Sequence, residues 1–183
     1  MAKAVVVEER IPIPDNVEVQ IKEKKVVVRG PKGVLERDFS YARSIQILKQ
    51  DKEVIVRAYF AKSREKALVG TIAAHISNMI TGVTKGFRYW LKIIFTHFPV
   101  SVRVEGDKVI IENFLGEKAP RIAKIHGNVK VEVRDTDIVV EGIDIEAVAQ
   151  TAANIELATK VKGFDRRVFA DGIYIYKKEV IES

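Results

Sequence analysis

The stretch VEVQIKEKKVVVRGPKG (residues 17–33) has a second copy 83 positions downstream, VSVRVEGDKVIIENFLG (residues 100–116). The two copies align without a gap, apolar residue on apolar residue, and both end in glycine, Gly33 and Gly116. Alternating apolar residues are typical of strands that bury one face. The polar tetrads KEKK and EGDK between the apolar runs predict hairpin turns. The chain therefore begins each of its halves with the same antiparallel strands.

The repeat continues beyond these strands. DKEVIVRAYF (residues 51–60) parallels DTDIVVEGID (residues 135–144), and a helical pattern follows each. The first helix is expected to begin at the N-cap Ser63 and the second at Asp144. The residues expected to form the apolar stripes of the two helices are Leu68, Ile72, Ile76, Met79 and Val83, and Val148, Ala152 and Ile155.

Both helices are predicted to stop at the tripeptide Lys-Gly-Phe. Gly86 and Gly163 would adopt the left-handed conformation just after the last turn, and Phe87 and Phe164 would return to the core. The sequence thus predicts an α+β fold of two tandem duplicated domains, each an antiparallel-rich β-sheet covered by one main helix.

The predicted domains are residues 1–86 and 87–183, and each is long enough to bury a small core. The chain has no cysteine, which excludes disulfides and thiolate-bound metal. Three dispersed histidines lack the spacing of metal ligands, and RGPKG lacks the spacer and hydroxyl of a phosphate-binding loop. No catalytic residue, metal or cofactor is predicted. We expect a soluble cytoplasmic protein, with no membrane partner and no small-molecule substrate.

Charge is distributed unevenly between the two halves of the chain. Residues 1–86 carry a net charge of +6, whereas residues 87–183 are neutral overall. The neutral half is polarised, because residues 132–146 hold six acids and one base, while residues 160–178 hold six bases and two acids. A local field governs docking more than a total charge does, since salt screens beyond roughly 8–10 Å. On charge alone, a solvated face and a polyanion site are about equally good interpretations.

Two features of the last segment are expected to be structural. Tyr174 and Tyr176 alternate with isoleucines, so they would share one strand face and pack against the cover of the sheet rather than stack on bases. Asp171 and Gly172 are expected to form the turn that directs this strand.

Three sequence motifs bear a resemblance to a known family. They are VVVRGPKGVLERDF (residues 26–39), NFLGEK (residues 113–118) and RVFADGIYIYKK (residues 167–178). Together they resemble the large-subunit ribosomal protein family L-six, and the last motif resembles its archaeal and eukaryotic branch. The similarity extends over nearly the whole chain.

This resemblance implies a structural component of the large ribosomal subunit. Its members bind 23S-type ribosomal RNA mainly through the second domain, near the factor-binding region and the stalk base, beside neighbouring ribosomal proteins. The residues expected to contact RNA phosphates are Lys118, Arg121, Lys124, Lys160, Lys162, Arg166, Arg167, Lys177 and Lys178. The alternative is a non-ribosomal protein–protein interaction module built from a duplicated sheet.

Overall fold

The computed structural model describes residues 4–182 and shows an α+β chain divided into two compact units, with the boundary between Lys85 and Gly86. Each unit contains one long helix and antiparallel strands, which confirms the predicted fold class and duplication. The strands of each unit form two small sheets instead of the single predicted meander. The helix of each unit packs against strands from both of its sheets.

The elements of the first unit are β1 (Ala4–Pro12), β2 (Glu18–Lys22), β3 (Lys25–Gly30), β4 (Gly33–Asp38), β5 (Gln46–Gln50), β6 (Glu53–Ala61) and α1 (Ser63–Thr84). One sheet has the order β2-β3-β4 and the other the order β1-β6-β5. The link between β4 and β5 contributes the buried side chains of Phe39, Ala42 and Ile45 to the core, so it separates the sheets without leaving the interior.

The elements of the second unit are β7 (Phe87–Ile94), β8 (Ser101–Glu105), β9 (Lys108–Glu112), β10 (Arg121–Lys124), β11 (Lys130–Arg134), β12 (Asp137–Gly142), α2 (Ile145–Ala158) and β13 (Gly172–Val180). Its sheets have the orders β10-β9-β8 and β11-β12-β7-β13. A short 3-10 turn, Phe114–Gly116, follows β9 and buries Phe114.

Both predicted hairpin turns are confirmed. Glu23 and Gly106 begin two-residue turns with φ of 57° and 58°, respectively. Asp51 and Asp135 begin two further turns of the same length, with φ of 51° and 53°. Positive φ at this position matches the twist of the flanking strands, which is why short hairpins favour it.

Both helices bury the faces that their sequences predict. Ile72, Ile76, Met79 and Val83 of α1 are buried, and Leu68 is partly buried at the margin of the same core. In α2 the three predicted core residues are fully buried. Asp144 caps α2 as predicted, since its carboxylate accepts from the Glu146 N–H at 3.0 Å.

The predicted cap of α1 is wrong by one residue. Lys62 occupies the N-cap, and Ser63 is the first helical residue. The Glu65 carboxylate accepts from the Lys62 backbone N–H at 3.0 Å, so the acid at the third position takes the capping role expected of the serine. The end of α1 is as predicted: Gly86 has a φ of 84°, and Phe87 is buried.

Helix α1 also meets the length and composition criteria of a membrane-crossing segment, a property that we did not expect from its sequence. It has 22 residues, and a window of 18 of them is apolar enough to cross a bilayer. Here its apolar face packs in the core of the first unit, while residues of its other face, such as Arg64 and Lys66, are exposed. The pattern is that of an amphipathic core helix.

Helix α2 is shorter than predicted and ends at Ala158. Gly163 has the expected left-handed φ of 78°, but it lies five residues beyond the helix, and Phe164 is 49% exposed instead of buried. The reason is Thr159, whose buried hydroxyl accepts from the Ile173 N–H at 2.9 Å. This contact joins the end of the helix to β13 and releases the following residues into a loop.

Candidate nucleic-acid interface

Four of the nine predicted RNA-contacting residues lie on the loop that joins α2 to β13. We call this segment, residues 159–171, the basic loop. Lys160, Lys162, Arg166 and Arg167 are all exposed. Within residues 4–182, none of these four side chains forms a hydrogen bond or an ion pair. The structure therefore gathers four cations on one loop and leaves their charge available.

The two arginines project from a turn that Asp165 organises. The Asp165 carboxylate accepts from the Arg167 N–H at 2.9 Å. Its backbone carbonyl accepts from the N–H groups of Val168 and Phe169 at 3.0 and 2.9 Å. The carboxylate and the carbonyl of Asp165 thus accept from three backbone donors of the loop. These hydrogen bonds stabilise the turn.

An aromatic cluster anchors the same turn to the rest of the second unit. The Phe169 ring lies 4.9 Å from the ring of Phe164 and 5.4 Å, edge-on, from that of His97. Asp171 adds a second link, because its buried carboxylate accepts from the Thr96 N–H at 3.3 Å. Asp171 is therefore structural, but the predicted turn at Asp171 and Gly172 is wrong, because the turn lies at residues 166–168 and Gly172 is already the first residue of β13.

Arg121 has a different role from the one predicted by its charge. Its guanidinium donates twice to the Glu117 carboxylate, at 2.6 and 2.8 Å. A third nitrogen lies 3.0 Å from both the Ala158 and the Lys160 carbonyl oxygens. The guanidinium also lies 4.4 Å from the centroid of the Phe114 ring.

These contacts engage most of the donors of Arg121, so it supports the end of α2 instead of presenting a free charge. The hydrogen bond with Arg121 lowers the pKa of the Glu117 carboxyl, and the same bond raises the pKa of Arg121. Both groups are therefore held ionised. We treat Arg121 as a positioning residue of the basic loop.

Lys118 and Lys124 flank this arrangement. Lys118 follows the 3-10 turn and Lys124 closes β10, and both side chains are exposed. Neither side chain has a hydrogen-bonding or charged partner in the described part of the chain. Lys124 lies with Arg121 on the edge strand β10, and Lys118 lies in the connection just before this strand. Arg121 itself contacts the Lys160 carbonyl in the basic loop.

Lys177 and Lys178 lie apart from the basic loop. A bulge between Ile175 and Lys177 shifts the register of β13, so that Lys177 pairs with Trp90 and Lys178 with Tyr89. Because neighbouring strand residues point to opposite faces, the two lysines diverge. Lys177 also lies five residues into β13, a distance of about 17 Å along an extended strand.

Each of these two lysines already has a partner in the second unit. Lys177 forms an ion pair of 2.5 Å with Glu179, and the Lys178 ammonium lies 5.3 Å from the centroid of the Tyr89 ring. Surface contacts of this kind are weak and can be exchanged for a phosphate. Their charge is nevertheless less available than that of the basic loop.

The two tyrosines of β13 are more exposed than predicted. The expectation that both pack against the cover of the sheet is wrong, because Tyr174 is 42% and Tyr176 55% exposed. The Tyr176 hydroxyl donates to Asp137 at 3.0 Å. Partial desolvation, together with this hydrogen bond, raises the pKa of Tyr176.

Three of the six acids of the acidic segment, residues 132–146, form ion pairs with basic residues of their own sheet, and Glu132 does so with Lys130 and Arg134. Arg88 pairs with Glu141 at 2.5 Å, and Lys92 pairs with Asp137 at 3.2 Å. These pairs depend on the alignment of β7 with β12, so no local sequence pattern indicates them. The charge of the acidic segment is therefore partly compensated within its sheet, whereas the four cations of the basic loop have no partner in the described residues.

Comparison with known proteins gives a consistent set of matches. The sequence model of the family Ribosomal protein L6 matches residues 13–86 and 98–172, once in each repeat. The protein named large ribosomal subunit protein uL6 of Aeropyrum pernix is 62% identical over 181 residues, which cover 99% of this chain and all of the relative. Proteins of the same name from Ignicoccus hospitalis and Methanobrevibacter smithii are 60% and 49% identical, covering 99% and 98% of this chain and all of each relative.

Proposed function

Because the chain belongs to the ribosomal protein L6 family, we propose that it is a structural component of the large subunit of cytoplasmic ribosomes and binds 23S-type ribosomal RNA through its second unit. The observation that carries this proposal is the basic loop, which presents four unpaired cations, two of them on the turn that Asp165 stabilises. The role is one of binding and requires no catalytic group, metal or cofactor.

The proposed mechanism is neutralisation of RNA phosphates. Each lysine or arginine that contacts a phosphate displaces condensed counterions, and arginine can offer two donors to one phosphate. Folded RNA is recognised largely through its shape and backbone. A hydrogen-bonded turn suits this purpose, because less backbone entropy of the loop remains to be lost on binding.

Among the predicted residues, we propose that the four on the basic loop make the principal contacts. Lys118 and Lys124 would extend this surface, since both are exposed and without charged partners in residues 4–182. Lys177 and Lys178 would contribute at a second point along β13, after Lys177 exchanges Glu179 for a phosphate.

We further propose that the protein sits near the factor-binding region and the stalk base, beside neighbouring large-subunit proteins. This location rests on the resemblance of the whole chain to the family, and the closing motif, residues 167–178, indicates its archaeal and eukaryotic branch. Relatives that align with this chain over their full length are named large ribosomal subunit proteins. That name favours the ribosomal role over an unrelated protein–protein module.

The test replaces Lys160, Lys162, Arg166 and Arg167 together by glutamine in the full chain. Binding to Aeropyrum pernix 23S-type ribosomal RNA is then measured over a range of salt concentrations. Each lost phosphate contact should reduce the slope of log affinity against log salt by roughly 0.7–0.9, so the slope should flatten by about 3 units.

The matched control replaces Lys22, Arg29, Arg64 and Lys66 of the first unit, which are likewise two exposed lysines and two exposed arginines. This variant should retain most of the original slope. An unchanged slope in the loop variant, or an equal loss in both variants, would contradict the assignment of the basic loop.

A further inference from the structure

A cavity of about 480 Å³ opens between the end of α2, the basic loop and β13. Its walls are mainly apolar and include Leu157, Val161, Phe169 and Tyr174. Lys160 and Arg166 add positive charge to the same lining. The volume lies within the range of roughly 300–1,000 Å³ that is typical of ligand pockets.

Tyr174 gives this cavity a preformed aromatic wall. Its hydroxyl lies 3.2 and 3.3 Å from the carbonyl oxygens of Asp171 and Ala170, either of which can accept its proton. A side chain at Gly172 would come within 2.8 Å of the tyrosine ring, so the glycine is what lets the ring lie against the backbone. The ring is fixed before any ligand arrives, while 42% of the residue stays exposed.

Leu157 adds an accessible aliphatic surface to the lining of the cavity. Leu157 is 63% exposed although it is a large apolar residue on the last turn of α2. The Glu156 carboxylate belongs to the same lining, and one of its oxygens accepts from the Ile175 N–H at 3.2 Å. The cavity thus combines an aromatic surface, an aliphatic surface and a carboxylate that can accept from an amino group.

We infer that this cavity receives one unstacked base of the ribosomal RNA, with the adjoining phosphate at Lys160 and Arg166; the inference rests on the proposed function. Unpaired bases of RNA are commonly held by stacking on aromatic side chains, while basic residues neutralise the backbone beside them. The juxtaposition of Tyr174 with two unpaired cations provides both requirements within one site.

The surrounding charge selects RNA over a protein partner. A protein side chain could fill an apolar pocket, but the loop around this one holds four exposed cations and, besides Asp165 in its turn and the buried Asp171, no further acid. A polyanion that also carries flat apolar groups matches this combination best.

The test compares Tyr174→Ala with Tyr174→Phe in the full chain, using Aeropyrum pernix 23S-type ribosomal RNA at several salt concentrations. Loss of a stacked base should weaken binding by about 5- to 150-fold at every salt concentration. The slope against salt should stay unchanged, because no phosphate contact is removed. Tyr174→Phe keeps the ring and should bind within about threefold of the wild type.

Two further variants complete the design. Leu157→Ala shortens the exposed aliphatic part of the lining without disturbing the core and should also weaken binding at constant slope, even if Tyr174→Ala fails to fold. Tyr41→Ala removes a tyrosine that is 59% exposed on the first unit and should change nothing.

The outcomes separate the inference from the function on which it rests. If the wild type binds with a steep salt slope while Tyr174→Ala and Leu157→Ala bind equally well, the cavity holds no base and only the inference is overturned. The inference is likewise overturned if these variants lose binding to a ribosomal protein instead of RNA. If the wild type shows no salt-dependent binding, the proposed function fails as well.

Discussion

At the scale of single residues, Arg121 shows that a basic side chain can have partners within the protein that its sequence does not reveal. Its neighbours Lys118 and Lys124 suggest one basic surface, yet the Arg121 side chain is 22% exposed and spans three separate segments. It bonds Glu117, the end of α2 and the start of the basic loop, and it covers the Phe114 ring. A guanidinium alone has enough donors in one plane for this task.

Replacing Arg121 by glutamine should therefore lower stability more than the loss of a surface charge would. Hydrogen bonds that involve a charged group contribute about 1.5–3 kcal/mol, and we expect a loss of this size in the free energy of unfolding from urea denaturation. Arg103→Gln is the control, because Arg103 pairs with Glu105 and Glu112 on an exposed strand and should cost less than about 1 kcal/mol. Equal losses for the two variants would show that Arg121 does not support the loop.

At the scale of elements, the repeated loops after β3 and β9 both end beside the C-terminus of their helix. In the first unit, the Lys32 N–H donates to the Val83 carbonyl at 2.9 Å, and the Lys32 ammonium donates to the Lys85 carbonyl. In the second unit, Arg121 performs the corresponding task. The motif RGPKG is therefore a support for the end of α1, with Gly30 permitting the close approach.

Because of this arrangement, there is no space for a side chain at Gly30. A Cβ at Gly30 would lie 2.6–2.9 Å from Val83, so Gly30→Ala should destabilise the protein by about 1–3 kcal/mol. Gly70 lies within α1 with open space around it, and Gly70→Ala should stabilise by about 0.5–1 kcal/mol. Thermal melts of the two variants should therefore shift in opposite directions; a stabilised Gly30→Ala would refute the close packing of this loop against α1.

The elements also show where sequence patterns suffice and where they do not. The hairpin turns and the buried stripes of both helices follow from local periodicity, so they could be predicted. The end of α2 could not, because Thr159 and Arg121 fix it through partners that are 14 and 37 residues away. The faces of Tyr176 and Lys177 could not either, because a bulge in β13 interrupts the alternation. The clustering of four cations was evident in the sequence, whereas the cavity beside them was not.

At the scale of the whole molecule, net charge is a poor guide to the proposed RNA surface. The first unit holds the entire excess of +6, but its charge is dispersed, and Lys24, Lys32 and Lys49 each donate to backbone carbonyls. In the second unit, several acids pair with basic residues of the sheet, while the four cations of the basic loop have no such partner in the described residues. The two units share a fold while differing in how much of their charge is available.

Ultraviolet crosslinking within intact large subunits would test this distribution directly. Peptides from the basic loop should carry crosslinked ribosomal RNA, because its exposed residues surround the proposed contact. Peptides from the first unit should carry less, and those containing Arg64 and Lys66 provide the internal comparison. Crosslinks confined to the first unit would overturn the assignment, and a complete absence of RNA crosslinks would favour the protein–protein module.

Strand β13 forms one edge of its sheet, and edge strands expose backbone groups that can pair with another chain. Here Thr159 and Glu156 accept from the Ile173 and Ile175 N–H groups, so side chains at the end of α2 and just after it occupy the first part of that edge. These contacts leave fewer backbone donors of β13 for another chain, so a free copy of the protein should pair less readily through this edge. The contacts that end the helix are thus expected to limit self-association as well.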